Sequence, residues 1–338
     1  MRTGTGTCVV EVWRGDSVES THEVSMAVVD GGGTLRAHAG DPDRRAFARS
    51  AIKPMQALPL VEDGAVAHFG ITEEELALCC ASHSGEPRHV ELARTLLRRI
   101  GAGEEELACG AHWPFDEDAT RALRAAGARP TRLHNNCSGK HAGMLTLARF
   151  HGWPLAGYQE LGHPVQDRML QELLRWTELR PADVSTGVDG CGVATFALPL
   201  FALAAGFARL AAAARRGTGG AAQVLGAMTR HPHLVGGSGR LCTQLMQSAG
   251  GRMIVKVGAE GVYCAAVPGA ELGIALKVHD GAKRAAEPAL IAVLQALGLL
   301  SDDAVVELSR WGEPLLRNTR DEAVGWIRAR VRLATAHD

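Results

Sequence analysis

Ser50 and Lys53 stand three residues apart in the run Arg49-Ser50-Ala51-Ile52-Lys53-Pro54, the spacing of a serine nucleophile with a lysine to take its proton. On a helical turn both side chains share a face. A serine hydroxyl attacks poorly until a neighbour removes its proton, and a lysine serves as that base only where burial or a second cation pulls it below its ordinary range. Pro54 lacks an amide hydrogen and crowds the carbonyl four residues back, so it belongs to a first helical turn. Ser50 is therefore expected at or just before a helix start, where free amides favour a developing oxyanion. The alternative for these two residues is an N-cap and a solvated lysine.

Further polar and glycine residues gather where predicted elements meet: Ser82-His83-Ser84-Gly85-Glu86-Pro87, Cys109-Gly110-Ala111-His112-Trp113-Pro114, His134 to His141, Asp189-Gly190-Cys191-Gly192, and Lys256-Val257-Gly258. Rigid scaffolds hold sites on such loops, and glycine lets backbone approach a ligand. Lys256 lies in a strand pattern of Met, Ile and Val, where an unpaired ammonium is costly to bury. A partner must meet it. A Ser-x-x-Lys early, a second serine at Ser82 and a Lys-x-Gly late resemble the order found in serine β-lactamases and penicillin-binding proteins.

Cys137, Lys140, His141, Asp189 and Cys191 form a second constellation on two loops, suited to one soft cation such as zinc. Generic chemistry favours Cys137, His141 and Cys191 as ligands, because a lysine must first lose its proton. Two buried thiols beside a polar turn are the alternative. Cys8, Cys79, Cys80, Cys109, Cys242 and Cys264 complete the cysteines; with no secreted framework, reduced thiols are expected.

The elements that must position these residues are strands at both ends and helices between. Strands are expected at Cys8 to Trp13, His22 to Val29 and Thr34 to Ala39, with a turn at Asp30-Gly31-Gly32-Gly33. Helices are expected at 55–61, 87–100, 138–150, 165–176, 194–215, 221–229, 239–249 and 288–297. Late β-branched runs at 252–257, 262–267 and 273–278 are joined by turns short enough only for antiparallel neighbours. The expected architecture is α+β, its sheet combining strands from both ends. At 338 residues the chain is read as one domain over 1–338, with a helical subregion at about 84–250. Thirty-six basic and thirty-seven acidic residues leave a net charge of −1, which gives no draw toward nucleic acid or anionic lipid. The stretch Met1 to Val10 has no apolar run, and no segment is both long and apolar enough to span a bilayer. A cytoplasmic protein acting on a small molecule is expected.

Taken together, Ser50 to Pro59, Ser82 to Pro87, Cys109-Gly110 with His112-Trp113-Pro114, Asn135 to His141, and Asp189 to Gly192 resemble, in the same order, the Rhizobium etli-type L-asparaginases of the asparaginase II family. The resemblance implies a serine-β-lactamase-like fold, a homodimer, and hydrolysis of L-asparagine to L-aspartate and ammonia. It implies Ser50 as nucleophile with Lys53, and Ser82 with Lys256 as a second pair, Lys277 being the alternative lysine. It implies Arg49, His83, Glu86 and Asn136 at the substrate, and zinc held by Cys137, Lys140 and Cys191 with Asp189 adjacent. His141 then leaves the ligand set. The rival readings are a penicillin-binding or β-lactamase-like hydrolase and a zinc-dependent amino-acid-binding protein without catalysis.

Overall fold

The computed structural model describes residues 6–335, so Met1 to Thr5, part of the N-terminal stretch considered above, lie outside the described residues. The chain divides into two compact units, one of residues 1–51, 197–212 and 248–338, the other of residues 52–196 and 213–247. The strands in chain order are β1 (Thr7–Arg14), β2 (Ser17–Asp30), β3 (Leu35–Ala39), β4 (Arg45–Phe47), β5 (Ser185–Val188), β6 (Ala194–Pro199), β7 (Ile254–Gly258), β8 (Val262–Val267), β9 (Leu272–Val278), β10 (Leu315–Arg317), β11 (Ala323–Arg332) and β12 (Ala334–Thr335).

The first unit holds a nine-stranded sheet ordered β10-β11-β1-β2-β9-β8-β7, with β3 on β2 and β12 on β3. Its strand pairs are antiparallel. Strands from the two ends of the chain meet where β2 pairs β9, Ser25 opposite Lys277 and Val28 opposite Ile274, as the terminal β-branched runs require. The helix Lys283–Ala296 packs on β1, β8, β9 and β11. A second helix approaches β9 at Gly273, where an added Cβ would lie 2.0 Å from the Ala204 carbonyl oxygen and 2.2 Å from the Ala208 amide nitrogen. Backbone cannot yield there as a side chain would. Gly273→Ala is therefore expected to cost about 3 kcal/mol or more, read as a lower denaturation midpoint in urea; an unchanged midpoint would mean that this helix is not seated against β9.

The second unit is mainly helical, as its leucine and alanine periodicity predicts. Its first helix, Lys53–Glu62, has Pro54 in the first turn, where the missing N–H costs nothing. The helix Pro164–Thr177 clamps the far end of that first helix and the residue after it, Arg175 to Glu62 at 2.6 Å and Arg168 to Asp63 at 2.8 Å. The helix Ser138–His151 is buried from Ser138 through Ala148 and crosses Glu73–Cys79 at Gly139, whose Cβ would fall 2.3 Å from the Leu78 carbonyl oxygen.

The expected single helix over 194–215 is corrected. Residues Ala194–Pro199 are β6, and the helix begins at Leu200. Pairing of Arg45, Ala46 and Phe47 with Pro199, Leu198 and Ala197 outweighs the helix propensity of the alanines and leucine. None of the eight cysteines is in a disulfide and all are buried, and no helix among the described residues is long and apolar enough to cross a membrane.

Candidate active site

In the first unit, Ser50 lies in the 3-10 turn Arg49–Ile52, directly before the helix that begins at Lys53. Arg49 adopts a left-handed conformation, φ 49°, which costs a non-glycine residue of order 1 kcal/mol and is characteristic of constrained functional turns. Ser50 is half-buried. Beside this turn runs β7. A Cβ on Gly258 would come within 2.8 Å of the Ala48 carbonyl oxygen, so the Lys256-Val257-Gly258 sequence lets the strand lie against the backbone that leads into Arg49 and Ser50. Lys256 is fully buried, and its Nζ donates to the Val257 carbonyl at 2.9 Å. Lys277 lies two strands inward on β9, its Nζ bound to the carbonyls of Glu260 and Val278 at 2.6 Å each.

In the second unit, Lys53 is 1% exposed. Its ammonium donates to the Ala81 carbonyl, to Ser82 Oγ at 3.0 Å and to Cys137 Sγ at 3.2 Å. The lysine of the first motif thus joins the serine of the second to the cysteine of the fourth. Ser82 reaches this point because the helix Glu73–Cys79 starts on a Thr72–Glu75 capping box and stops short of it. Its N–H then donates to the Val235 carbonyl at 3.0 Å. Gly85, at φ 76°, turns the chain where a Cβ would meet Pro114 at 3.0 Å.

Cys137 is set by Asn135, whose Oδ1 accepts the Cys137 N–H at 2.8 Å while its Nδ2 donates to the Gly110 carbonyl at 2.6 Å. Cys191 comes from the hairpin turn between β5 and β6, closed by Asp189 N–H to the Val193 carbonyl at 2.8 Å. Lys140 Nζ stands 3.0 Å from Cys191 Sγ. The Cys191 S–H bond to Cys137 holds the Cys137 thiol well below its usual range, and against burial Lys53 and Lys140 act in the same sense. The same contact, with burial, raises Cys191. Burial alone would lower Lys140, but Cys137, Cys191 and Asp189 outweigh it and raise its pKa.

Among the described residues no three His, Cys, Asp or Glu side chains form a group able to hold a metal; the convergent set here is two sulfurs and one amine. Two thiols already in contact and a primary amine at one of them suit zinc by donor softness, and the strongly held Lys140 proton is what the metal would have to displace. Asp189 Oδ1 accepts the Gly190 N–H at 2.7 Å, bracing the turn. His141, the ligand that generic chemistry favours, directs Nδ1 to the Tyr158 hydroxyl, and its Nε2 has no hydrogen-bond partner. Tyr158 was not legible as part of the site; its hydroxyl also accepts the Ala108 N–H at 2.9 Å.

Of the expected substrate contacts, Asn136 donates its N–H to His112 Nε2 at 3.0 Å. Glu86 accepts the Ser238 N–H at 2.6 Å and lies 3.0 Å from His233 Nε2. His83 is fully buried, with both ring nitrogens on protein groups.

Residues 10–329 match the model of the L-asparaginase II family. The chain belongs to that family. The antiparallel sheet built from both chain ends, with a mainly helical second unit, is the α+β architecture expected above. No curated protein matches the sequence. Among solved structures, Mglu in its native form is similar at 17% identity and a TM-score of 0.44, over 83% of this chain and 67% of that one. A second Mglu structure, in 4.3 M NaCl, is covered over 60% of its length, at 18% identity, TM-score 0.40 and 85% of this chain. A β-lactamase from Mycobacterium bovis is similar at 15% identity and TM-score 0.35, over 84% of this chain and 94% of that one. At these scores the likenesses carry no argument about this L-asparaginase II family chain.

Proposed function

We propose that this family member hydrolyses L-asparagine to L-aspartate and ammonia in the cytoplasm, as a homodimer. The observation that carries the reading is Lys53, buried within hydrogen-bond distance of Ser82 Oγ in a chain that matches the family model over residues 10–329. Ser50 Oγ attacks the side-chain amide carbon as its proton passes to Lys53 in its neutral amine form, which becomes the ammonium, and amides at the helix start hold the oxyanion. The C–N bond breaks. The nitrogen leaves as ammonia after taking a proton through Ser82 and Lys256, and an ester to Ser50 remains. Water adds to that ester as one of its protons restores Lys256, the bond between Ser50 Oγ and the acyl carbon breaks as Lys53 returns the proton to Ser50, and aspartate departs. Arg49, Asn136 and Glu86 are proposed around the substrate's polar groups.

Cys137, Lys140 and Cys191 are the residues that would hold zinc, which when bound supplies a Lewis acid or an orienting charge for the substrate. Cys191→Ser is expected to lower bound zinc from about one per chain to well under half, measured by atomic absorption after dialysis against a weak chelator. Full retention of zinc would remove Cys191 from the ligand set.

Ammonia release from L-asparagine, run beside L-glutamine and with chelator or added zinc, tests the function. Asparagine is expected to be turned over, and glutamine about 10- to 200-fold less well, the discrimination one methylene permits. No release from asparagine under any condition would overturn the reading. Acylation by a labelled penicillin would replace it with the penicillin-binding alternative, and asparagine binding without turnover with the binding-protein alternative.

A further inference from the structure

His83 is the fully buried residue that follows Ser82, and it ties together two segments far apart in sequence. Its N–H donates to the Asn136 carbonyl at 3.2 Å. In the ring, Nδ1 accepts the Gly85 N–H at 3.1 Å and Nε2 lies 3.0 Å from Ser138 Oγ, which itself donates to the Leu133 carbonyl at 2.9 Å. One tautomer satisfies all of these bonds. An amide N–H can only donate, so Nδ1 is bare and Nε2 carries the hydrogen that it gives to Ser138. Burial, with His89 and Lys53 nearby, holds the ring well below the usual imidazole range, so this tautomer persists.

Ser138 adjoins Cys137, and Gly85 closes the loop that begins at Ser82. The ammonium of Lys53 bonds to both segments, Ser82 Oγ at 3.0 Å and Cys137 Sγ at 3.2 Å. The spacing of those two partners is therefore the spacing that His83 bolts. We propose that His83 is a positioning residue which, through its Nε2–H bond to Ser138, sets the distance between Ser82 and Cys137 and so holds Lys53 where it exchanges protons. It acts through these residues, both of its ring nitrogens being on protein groups. The stacked rings of His89, at 4.9 Å from His83, and of His233, at 5.5 Å from His89, back it from the other side.

This inference rests on the asparaginase reading for its kinetic arm only. Glutamine places an amide nitrogen where Nε2 was, so His83→Gln keeps the donor to Ser138. Asparagine keeps an acceptor near the Nδ1 position and loses that donor. His83→Asn and Ser138→Ala are each expected to lower kcat about 10- to 100-fold, the scale of a misplacement near 1 Å, with KM within about threefold. His83→Gln should retain most of the wild-type kcat, and the His83→Asn/Ser138→Ala double variant should be no slower than the slower single. The second readout is the ¹⁵N signal of the Lys53 ammonium in lysine-labelled protein, assigned by its loss in Lys53→Met. It should move in His83→Asn and Ser138→Ala and stay in His83→Gln. Identical behaviour of the Asn and Gln variants in both readouts, additive losses in the double variant, or an unmoved Lys53 signal in all three single variants would overturn the proposal. Should the wild type release no ammonia, the functional reading fails and the Lys53 signal still decides the role of His83.

Discussion

Ser50→Ala is expected to lower asparagine turnover by at least about 10⁴-fold, the loss typical of removing a nucleophile whose partners act as a unit, in protein that still folds. The structural cost is small because Ser50 is half-buried in a 3-10 turn, and a surface-near Ser to Ala change away from a cap is worth within about 0.5 kcal/mol. The turn itself is held by other means: the Ala51 N–H bonds to the Ala48 carbonyl at 3.0 Å, and Ala48 in turn lies against β7 at Gly258. Loss of the hydroxyl therefore leaves the strained Arg49 conformation and the Lys256 strand in place. Kcat measured alongside the thermal midpoint separates chemistry from folding. Residual turnover above about 1% with an unchanged midpoint would shift the nucleophile away from Ser50 and toward Ser82, the hydroxyl that Lys53 Nζ bonds.

Much of this arrangement can be read before any coordinates. The N-terminal meander and the late β-branched runs alternate and are punctuated by glycine turns, so β1, β3, β7, β8 and β9 fall close to their expected limits, while β2 starts five residues before its expected His22, at Ser17. The strands β10 to β12 went unread, and β11 shows why: its arginines at 328, 330 and 332 alternate with half-buried or exposed residues, so the apolar signal of a strand is thin where one face meets water. At Ala194–Pro199 the local preference was helical and a neighbouring strand decided otherwise. The site motifs were legible one at a time because each combines glycine with residues a core would not choose. Their convergence on Lys53 was not. No periodicity links Ser82 to Cys137, and a lysine that bridges these two motifs is a fact of packing. Tyr158 was invisible for the same reason; its partners Ala108 and His141 lie on segments that nothing in the local pattern joins to it.

Replacing Lys53 tests whether its amine is a base or its ammonium only a charge. Lys53→Met preserves length and apolar bulk and removes the proton carrier, and kcat is expected to fall by about 10²- to 10⁴-fold, the range for a positioned general base. Stability should change little in either direction. The Ala81 carbonyl loses a donor, at about 1–3 kcal/mol for a group left unsatisfied, but a side chain that is 1% exposed no longer has to be desolvated, and well-packed apolar replacements of buried charges are commonly neutral or better. Lys53→Arg is the sharper variant. A guanidinium keeps the positive charge beside Cys137 and never gives up its proton at working pH. If Lys53 is the base, the arginine variant is about as slow as the methionine one while still folding. An arginine variant that keeps more than about a tenth of wild-type kcat would mean that the site needs a cation at this position and takes the Ser50 proton elsewhere, and Lys256 would then be the lysine to replace next.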